Sequence, residues 1–301
     1  STGYLGQLFS HSDSRFLQNF RSELDSIMVH YMAKAPSDST TLNTCGAYYY
    51  NTRRPEIAED CFKRAAEAYP QSLSLRYSYL MLLGQRQRWE QLVVAAEDLY
   101  TDFPEETDAL QLKSTAYFNL GDYNSFIAEQ ERIIAASGEN VQAVVQAWSG
   151  IGDAWHLLGD SAKAYKAYDK ALSLNPKYLP VLNNYAYYLS EERRKLKKAY
   201  AMSKITVEAE PDNATYGDTF GWILHLQGKD LEAKPFFKHA MLYGGKDSAV
   251  MLDHYAEVLY ALGEYDMAKV YWNMAKKKNT RSEVPDLDRR VAERLAAIEK
   301  K

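Results

Sequence analysis

Cysteine is nearly missing from this sequence. Cys45 and Cys61 are the two present, and a disulfide-stapled scaffold needs more of them in a much shorter chain. They read as two small buried hydrophobes and say nothing about redox compartment. Proline and glycine are sparse, nine and fifteen in 301 residues, which excludes collagen-like and disordered chains. There is no basic excess either: the formal net charge is −4, which counts against a nucleic-acid partner. No apolar run approaches the ~18 residues that signal a membrane span. No signal peptide is visible, and a start at Ser1 rather than Met reads as a processed or trimmed product.

What the sequence does have is a period. Pro36, Pro70 and Pro104 stand 34 residues apart, and Pro176 and Pro211 follow 72 and 35 residues later. Between them the same pattern returns. Its clearest copy holds Trp148, Ile151, Gly152 and Trp155, then Ala164 and Tyr168, then Pro176. An earlier copy holds Leu42, Cys45, Gly46 and Tyr49, then Ala58 and Phe62, then Pro70. Later ones hold Phe220, Gly221, Leu224, Ala233 and Phe237, and Leu252, Tyr255, Ala256, Leu259, Ala268 and Trp272. Three copies are weaker. In one, which holds Tyr79, Leu80 and Leu83, then Leu92 and Ala96, the last two reverse the usual small-then-large pair, a swap that conserves packed volume. In the next, Phe126 and Gln130 stand where Ala and an aromatic are expected. In the copy around Leu182, Tyr185, Ala186 and Leu189, Ala199 comes one residue late, which predicts a longer turn.

The physical meaning of the pattern is a pair of helices. Leu182, Tyr185, Ala186 and Leu189 lie at i, i+3, i+4 and i+7, one face of a helix. The small residue lets a second helix approach, and a large residue on that helix fills the space beside it. Gly121, Gly159, Gly228 and Gly263 fall where the first helix must end in a left-handed cap, and the proline stops the second. Seven repeats are expected, at about 39–72, 73–106, 107–144, 145–178, 179–213, 214–248 and 249–282. Phe16 to Ala35 reads as one helix, so that residues 1–38 form an N-terminal helix or a degenerate eighth repeat. In 283–301, Leu287, Val291, Leu295 and Ile298 share one face and charges take the other, as in a C-terminal capping helix.

The pattern resembles the tetratricopeptide repeat over roughly residues 39–282. The resemblance implies an all-α fold, an α-solenoid of antiparallel helix pairs in a right-handed superhelix. Its first helices would line a concave groove that binds a peptide or protein. The C-terminal segments NNYAYYLSEE, DNATYGDTFGWIL and DHYAEVLYALGEYDMAKVYW also resemble tetratricopeptide proteins of bacterial cell envelopes. That implies a periplasmic or outer-membrane-associated location and a part in envelope assembly or secretion, with a cytoplasmic location left open. The carboxylate clamp of chaperone adaptors needs Lys and Asn on these helices. This chain has mainly Asp, Asn and rings there.

Within each first helix, the residues beside the buried stripe should face the groove. They are Asn43, Ala47, Tyr50; Tyr77, Met81, Gly84; Gln111, Thr115, Phe118; Ser149, Asp153, His156; Asn183, Tyr187, Ser190; Asp218, Trp222, His225; and Asp253, Glu257, Tyr260. The strongest candidates for partner contact are Asn43, Tyr50, Phe118, Asp153, His156, Asn183, Tyr187, Asp218, Trp222, His225, Asp253, Glu257 and Tyr260. Rings beside amide and carboxylate groups suit peptide recognition. Repeats five to seven should present a continuous surface of rings and acids, for a polar-to-basic segment with an apolar anchor. Packing of the same rings against the next repeat is an equal expectation for each.

Chemistry is harder to find. None of His11, His30, His156, His225, His239 and His254 forms a clustered ligand set. His225 and His254, one repeat apart, could share a metal, but ordinary polar side chains outweigh that reading. No G-x-S-x-G elbow or phosphate-binding loop is present, and Gly150 and Gly152 fall inside a helix. Two basic runs, Arg193–Lys198 and Lys276–Lys278, read as a solvated turn and a charged helix end. The expectation is therefore a non-enzymatic binding scaffold with no cofactor or metal and a protein or peptide partner. A small-solute or glycan receptor is the alternative, and self-association is left open.

Overall fold

The computed structural model describes residues 14–299. Among them every regular element is helical. The order is α1 (Ser14–Asn19), α2 (Arg21–Lys34), α3 (Ser39–Asn51), α4 (Pro55–Ala68), α5 (Leu73–Gln85), α6 (Trp89–Asp102), α7 (Thr107–Leu120), α8 (Tyr123–Ala136) and α9 (Val141–Leu157). Then come α10 (Ser161–Leu174), α11 (Leu179–Glu191), α12 (Leu196–Ala209), α13 (Ala214–Leu226), α14 (Asp230–Ala240), a 3-10 turn (Gly245–Asp247), α15 (Ala249–Ala261), α16 (Tyr265–Lys278) and α17 (Leu287–Glu299). The helices form two compact units, one ending at Ala147 and one beginning at Trp148, so the boundary falls inside α9. The repeat spacing gives no sign of this division. It also places the start of α9 four residues late, since the helix begins at Val141.

The hairpins close as their sequences dictate. The first helices end on left-handed residues, and Gly121, Gly159, Gly228 and Gly263 have φ of 74°, 80°, 75° and 77°. The other three hairpins put Arg53, Gln87 and Arg193 in the same conformation, at φ of 59°, 57° and 51°. There a side chain carries the strain that glycine avoids. In the α11–α12 turn Lys195 is left-handed as well, and the turn is the longer one that the late Ala199 implies. Asp38, Asp122, Asp160, Asn213 and Ser248 cap helix N-termini through their side chains.

The small-and-large pairing works inside each hairpin. A Cβ built on Gly46 would lie 2.9 Å from the Phe62 ring, and one on Gly221 would lie 2.7 Å from Phe237. Gly152 is closer still to the Tyr168 ring. The α7–α8 hairpin solves the same contact differently. Its Ser114 and Gln130 are buried, and Gln130 Nε2 donates to Ser114 Oγ at 2.7 Å. A satisfied polar pair replaces glycine and ring, which explains a copy that looks degenerate in sequence.

The ends differ from each other. The single helix expected over Phe16–Ala35 is two, because Phe20 leaves helical geometry at ψ 23° and becomes the cap of α2. Residues before 14 lie outside the described part of the chain. Cys45 and Cys61 are fully buried near Met28, and burial pushes their thiols up to about 12 and about 11. At the other end Leu287 and Val291 are buried in the core of the last hairpin, with Val284 below them and Leu295 packed against it.

Candidate functional site

The inner positions of the second unit converge through rings. His156 on α9 stacks on Tyr188 of α11, with centroids 3.4 Å apart. Tyr188 meets Tyr187 edge-on at 5.7 Å, and Tyr187 leans toward His254 of α15 at 6.4 Å. His254 stacks on Trp222 of α13 at 4.0 Å, and Trp222 on His225 at 5.0 Å. The contacts thus run unbroken across four first helices. His156, Tyr187, Tyr188, Trp222 and His225 keep part of their surface open. Trp222 Nε1 donates to Glu191 at 2.9 Å, and His225 lies 2.5 Å from Asp230 of its own hairpin. These rings pack against the next repeat and also face outward, so the two expectations for them coexist.

The acidic half of the expected surface is different. Asp218, Asp253, Glu257 and Asn183 are buried. Asp218 lies 3.0 Å from His254 Nδ1. Asp253 accepts from Arg290 at 2.6 Å and Glu257 from Arg294 at 2.8 Å, both arginines belonging to α17. Arg294 also lies over the Tyr260 ring at 4.9 Å. Repeats five to seven therefore do not present a continuous open acidic surface, because the three carboxylates are already paired, Asp218 from α15 and Asp253 and Glu257 from α17. Exposed, it would be hydrated. Buried, it needs a partner with charge or donors. Nor does α17 keep all its charges in solvent, since two arginines turn inward.

Electrostatics follow the same logic. Burial pushes the His254 imidazole down, but Asp218 beside it, with Asp253 and Glu191, outweighs this and holds it protonated above its ordinary range. Asp153 is raised by burial, although Tyr168 donates to it at 2.5 Å and Asn184 at 3.0 Å. Burial lowers His156 against the pull of Asp153. Tyr188 is pushed up to about 12 by burial and Asp153.

In the first unit Asn43, Tyr50 and Phe118 are exposed, and Phe118 rests edge-on against Phe126 and Tyr123 of its own hairpin. The residues outside the contact set expected from the sequence are Asn184, Tyr188, His254, Arg290 and Arg294, of which the sequence offers only His254, and that as a metal ligand with His225. The first three each follow a named inner position by one. A helix advances about 100° per residue, so that neighbour swings from the open face toward the preceding repeat. Among the described residues, no three His, Cys, Asp or Glu side chains gather as metal ligands, and no helix is long and apolar enough to cross a membrane.

Comparison with known proteins agrees with this architecture. Residues 107–140 and 145–178 each match the tetratricopeptide repeat family. Over 206 residues the chain is 25% identical to the human protein O-mannosyl-transferase TMTC1, a match taking in 66% of this chain and 19% of that protein. The chain thus spans less than a fifth of that relative's length. Among solved structures, a tetratricopeptide repeat protein from Parabacteroides merdae superposes with a TM-score of 0.62 at 14% identity, covering 82% of this chain and 95% of its own. The Cut9–Hcn1 hetero-tetramer of the APC/C gives 0.54 at 14% identity, covering 89% and 55%. At such identities the likeness is one of fold. With its helix hairpins, its glycine caps and two directly matching repeats, the chain carries tetratricopeptide repeats on a tetratricopeptide-type helical fold.

Proposed function

We propose that this protein is a binding scaffold whose second unit receives a peptide or protein segment along its ring-lined inner face. The observation that carries this is the unbroken ring row from His156 to His225, partly open to solvent while the carboxylates around it are internally paired. Rings held by neighbours are pre-ordered, so a partner that covers them pays little to fix them. With the buried acids occupied, recognition rests on apolar and stacking contact, and the exposed Glu191 orients the segment.

The role we propose lies in envelope assembly or secretion, at a periplasmic or outer-membrane-associated location. This rests on the resemblance of the C-terminal segments to envelope proteins. Fractionation of the native cell tests it, and a chain found in the cytoplasm alone contradicts it. The binding role is tested by placing a photo-crosslinking residue at Tyr187 and, as a control, at Arg194 in the α11–α12 turn. A protein captured from Tyr187 and not from Arg194 supports the inner face. Capture from Arg194 alone moves the site to the turn. A glycan bound at Tyr187 would favour the receptor reading, and turnover of a sugar donor would replace binding with catalysis.

A further inference from the structure

The first unit holds a second surface, on the opposite side of its hairpins from the inner positions. A cleft of about 720 Å³ opens between the second helices α4 and α6, with α5 as its floor. That volume suits a few side chains of a partner rather than a solvent molecule. Leu80, Tyr79 and Ala95 line it, and Val94 stands 61% exposed at its rim. Tyr79 is half-buried, and its hydroxyl bonds to no group among the described residues.

The charges of the cleft do not balance. Its walls carry Glu67, Glu90, Asp98 and Asp102 against Lys63 and Arg76. Arg76 is consumed by Asp102 at 2.5 Å, and Lys63 faces Glu67 at 3.8 Å. Glu90 and Asp98 are exposed and enter no ion pair among the described residues. They lie on one face of α6, with Val94 midway between them. Eight residues of helix set the two carboxylates about 12 Å apart along the axis.

We propose that this cleft docks a basic helical segment of a partner protein, one with an aliphatic residue flanked by two cations spaced to meet Glu90 and Asp98. The aliphatic side chain enters beside Val94 over Leu80 and Tyr79, and the cations close on the two free carboxylates. Because an exposed ion pair contributes little by itself, the apolar anchor supplies the affinity and the charges supply register and selectivity. The proposal stands apart from the ring-lined face of the second unit and does not depend on it.

The test uses the full chain and a fluorescent helical peptide with a leucine between two arginines, each one helical turn (four residues) away. Saturable binding is expected, weakened about ten-fold or more in the Glu90→Lys/Asp98→Lys double variant and by replacing the peptide's leucine with serine. A peptide with glutamates in place of the arginines should bind the double variant better than it binds the native chain. Both substituted residues are exposed, so the melting temperature should fall only slightly, by the loss of Glu90 from the first turn of α6, and Val94→Arg gives an independent block of the cleft. Absence of saturable binding overturns the proposal, as does affinity that the double variant and Val94→Arg leave unchanged. Loss of binding in Trp222→Ala with the cleft variants silent would place the peptide on the second unit and also overturn it. Self-association abolished by Val94→Arg, without peptide binding, would give the cleft to a second copy of the chain.

Discussion

The two units carry the same repeat but use its inner positions differently. In the first, Asn43, Tyr50 and Phe118 stay exposed. Its buried charges sit elsewhere, where Lys113 bridges Glu97 at 2.6 Å and Glu129 at 2.9 Å and Arg132 joins both. In the second unit, Asp218, Asp253 and Glu257 are buried. The difference lies in the residue just after the first inner position of each repeat. In the first unit it is Thr44, Ser78 or Leu112, none of which carries charge. In the second it is Gly150, Asn184, Thr219 and His254, of which Asn184 and His254, together with Arg290 of α17, each donate to a carboxylate of the preceding first helix. An inner carboxylate is thus tolerated below the surface where the next helix brings a donor.

The sharpest way to break this contrast is to remove such a donor. His254→Leu would leave Asp218 buried without a counter-charge, and breaking a buried pair in this way costs about 3–5 kcal/mol. Urea unfolding of the second unit should show this, and Asp218→Asn made together with His254→Leu should recover part of it. The pair also predicts a pH dependence. His254 has a raised pKa in the folded state, so its contribution is full below its unfolded value of 6.5 and is lost as pH rises through the folded one. Stability of the second unit should fall with rising pH above neutrality, and the double variant should flatten that slope.

The next effect is at the C-terminal helix. Arg290→Ala with Arg294→Ala strands Asp253 and Glu257, at a cost of about 1–3 kcal/mol for each buried group left unsatisfied. Hydrogen exchange should rise over 249–282, as on deleting 284–301, and stay unchanged over 39–106, since coupling in such arrays is between neighbours. Exchange unaltered over 249–282 would mean that α17 does not hold the last hairpin.

Much of this architecture is legible in the sequence because it repeats there. The glycines at left-handed caps and the helix-stopping prolines are local chemistry, and a period of 34 exposes them. The alternation of Gly46 with Phe62 or Gly152 with Tyr168 is also readable, since both partners lie in one repeat. What stays hidden is what one repeat does to another. Nothing around Asp253 announces Arg290, which stands 37 residues away on a different element. The periodic pattern gives the face a side chain occupies, and the neighbour decides whether that face is wet. The rings were visible for that reason, whereas the burial of the acids was not.

A smaller contrast separates two glycines of first helices. Gly152→Ala pushes a methyl into Tyr168, whose hydroxyl is tied to Asp153, so the ring cannot retreat freely. Overpacking of this kind costs about 1–3 kcal/mol. Gly84 meets only Leu92, at 3.7 Å, so Gly84→Ala should be neutral or stabilising by up to about 1 kcal/mol from helix propensity. Thermal melts that rank the two variants the other way would refute the hairpin packing. The smallest effect is in the turns. Gln87→Gly relieves a left-handed side chain, and a gain of about 0.5–1 kcal/mol is expected, the mirror of replacing a left-handed glycine.

The central functional claim is that the second unit binds through its inner rings, and the most direct measurement is hydrogen exchange of the full chain with and without the protein captured at Tyr187. Protection is expected over α11 and α13, residues 179–191 and 214–226, with little change over the outer helices α12 and α14. Protection confined to α12, α14 or the 192–195 turn would contradict the claim and leave the ring row as packing alone.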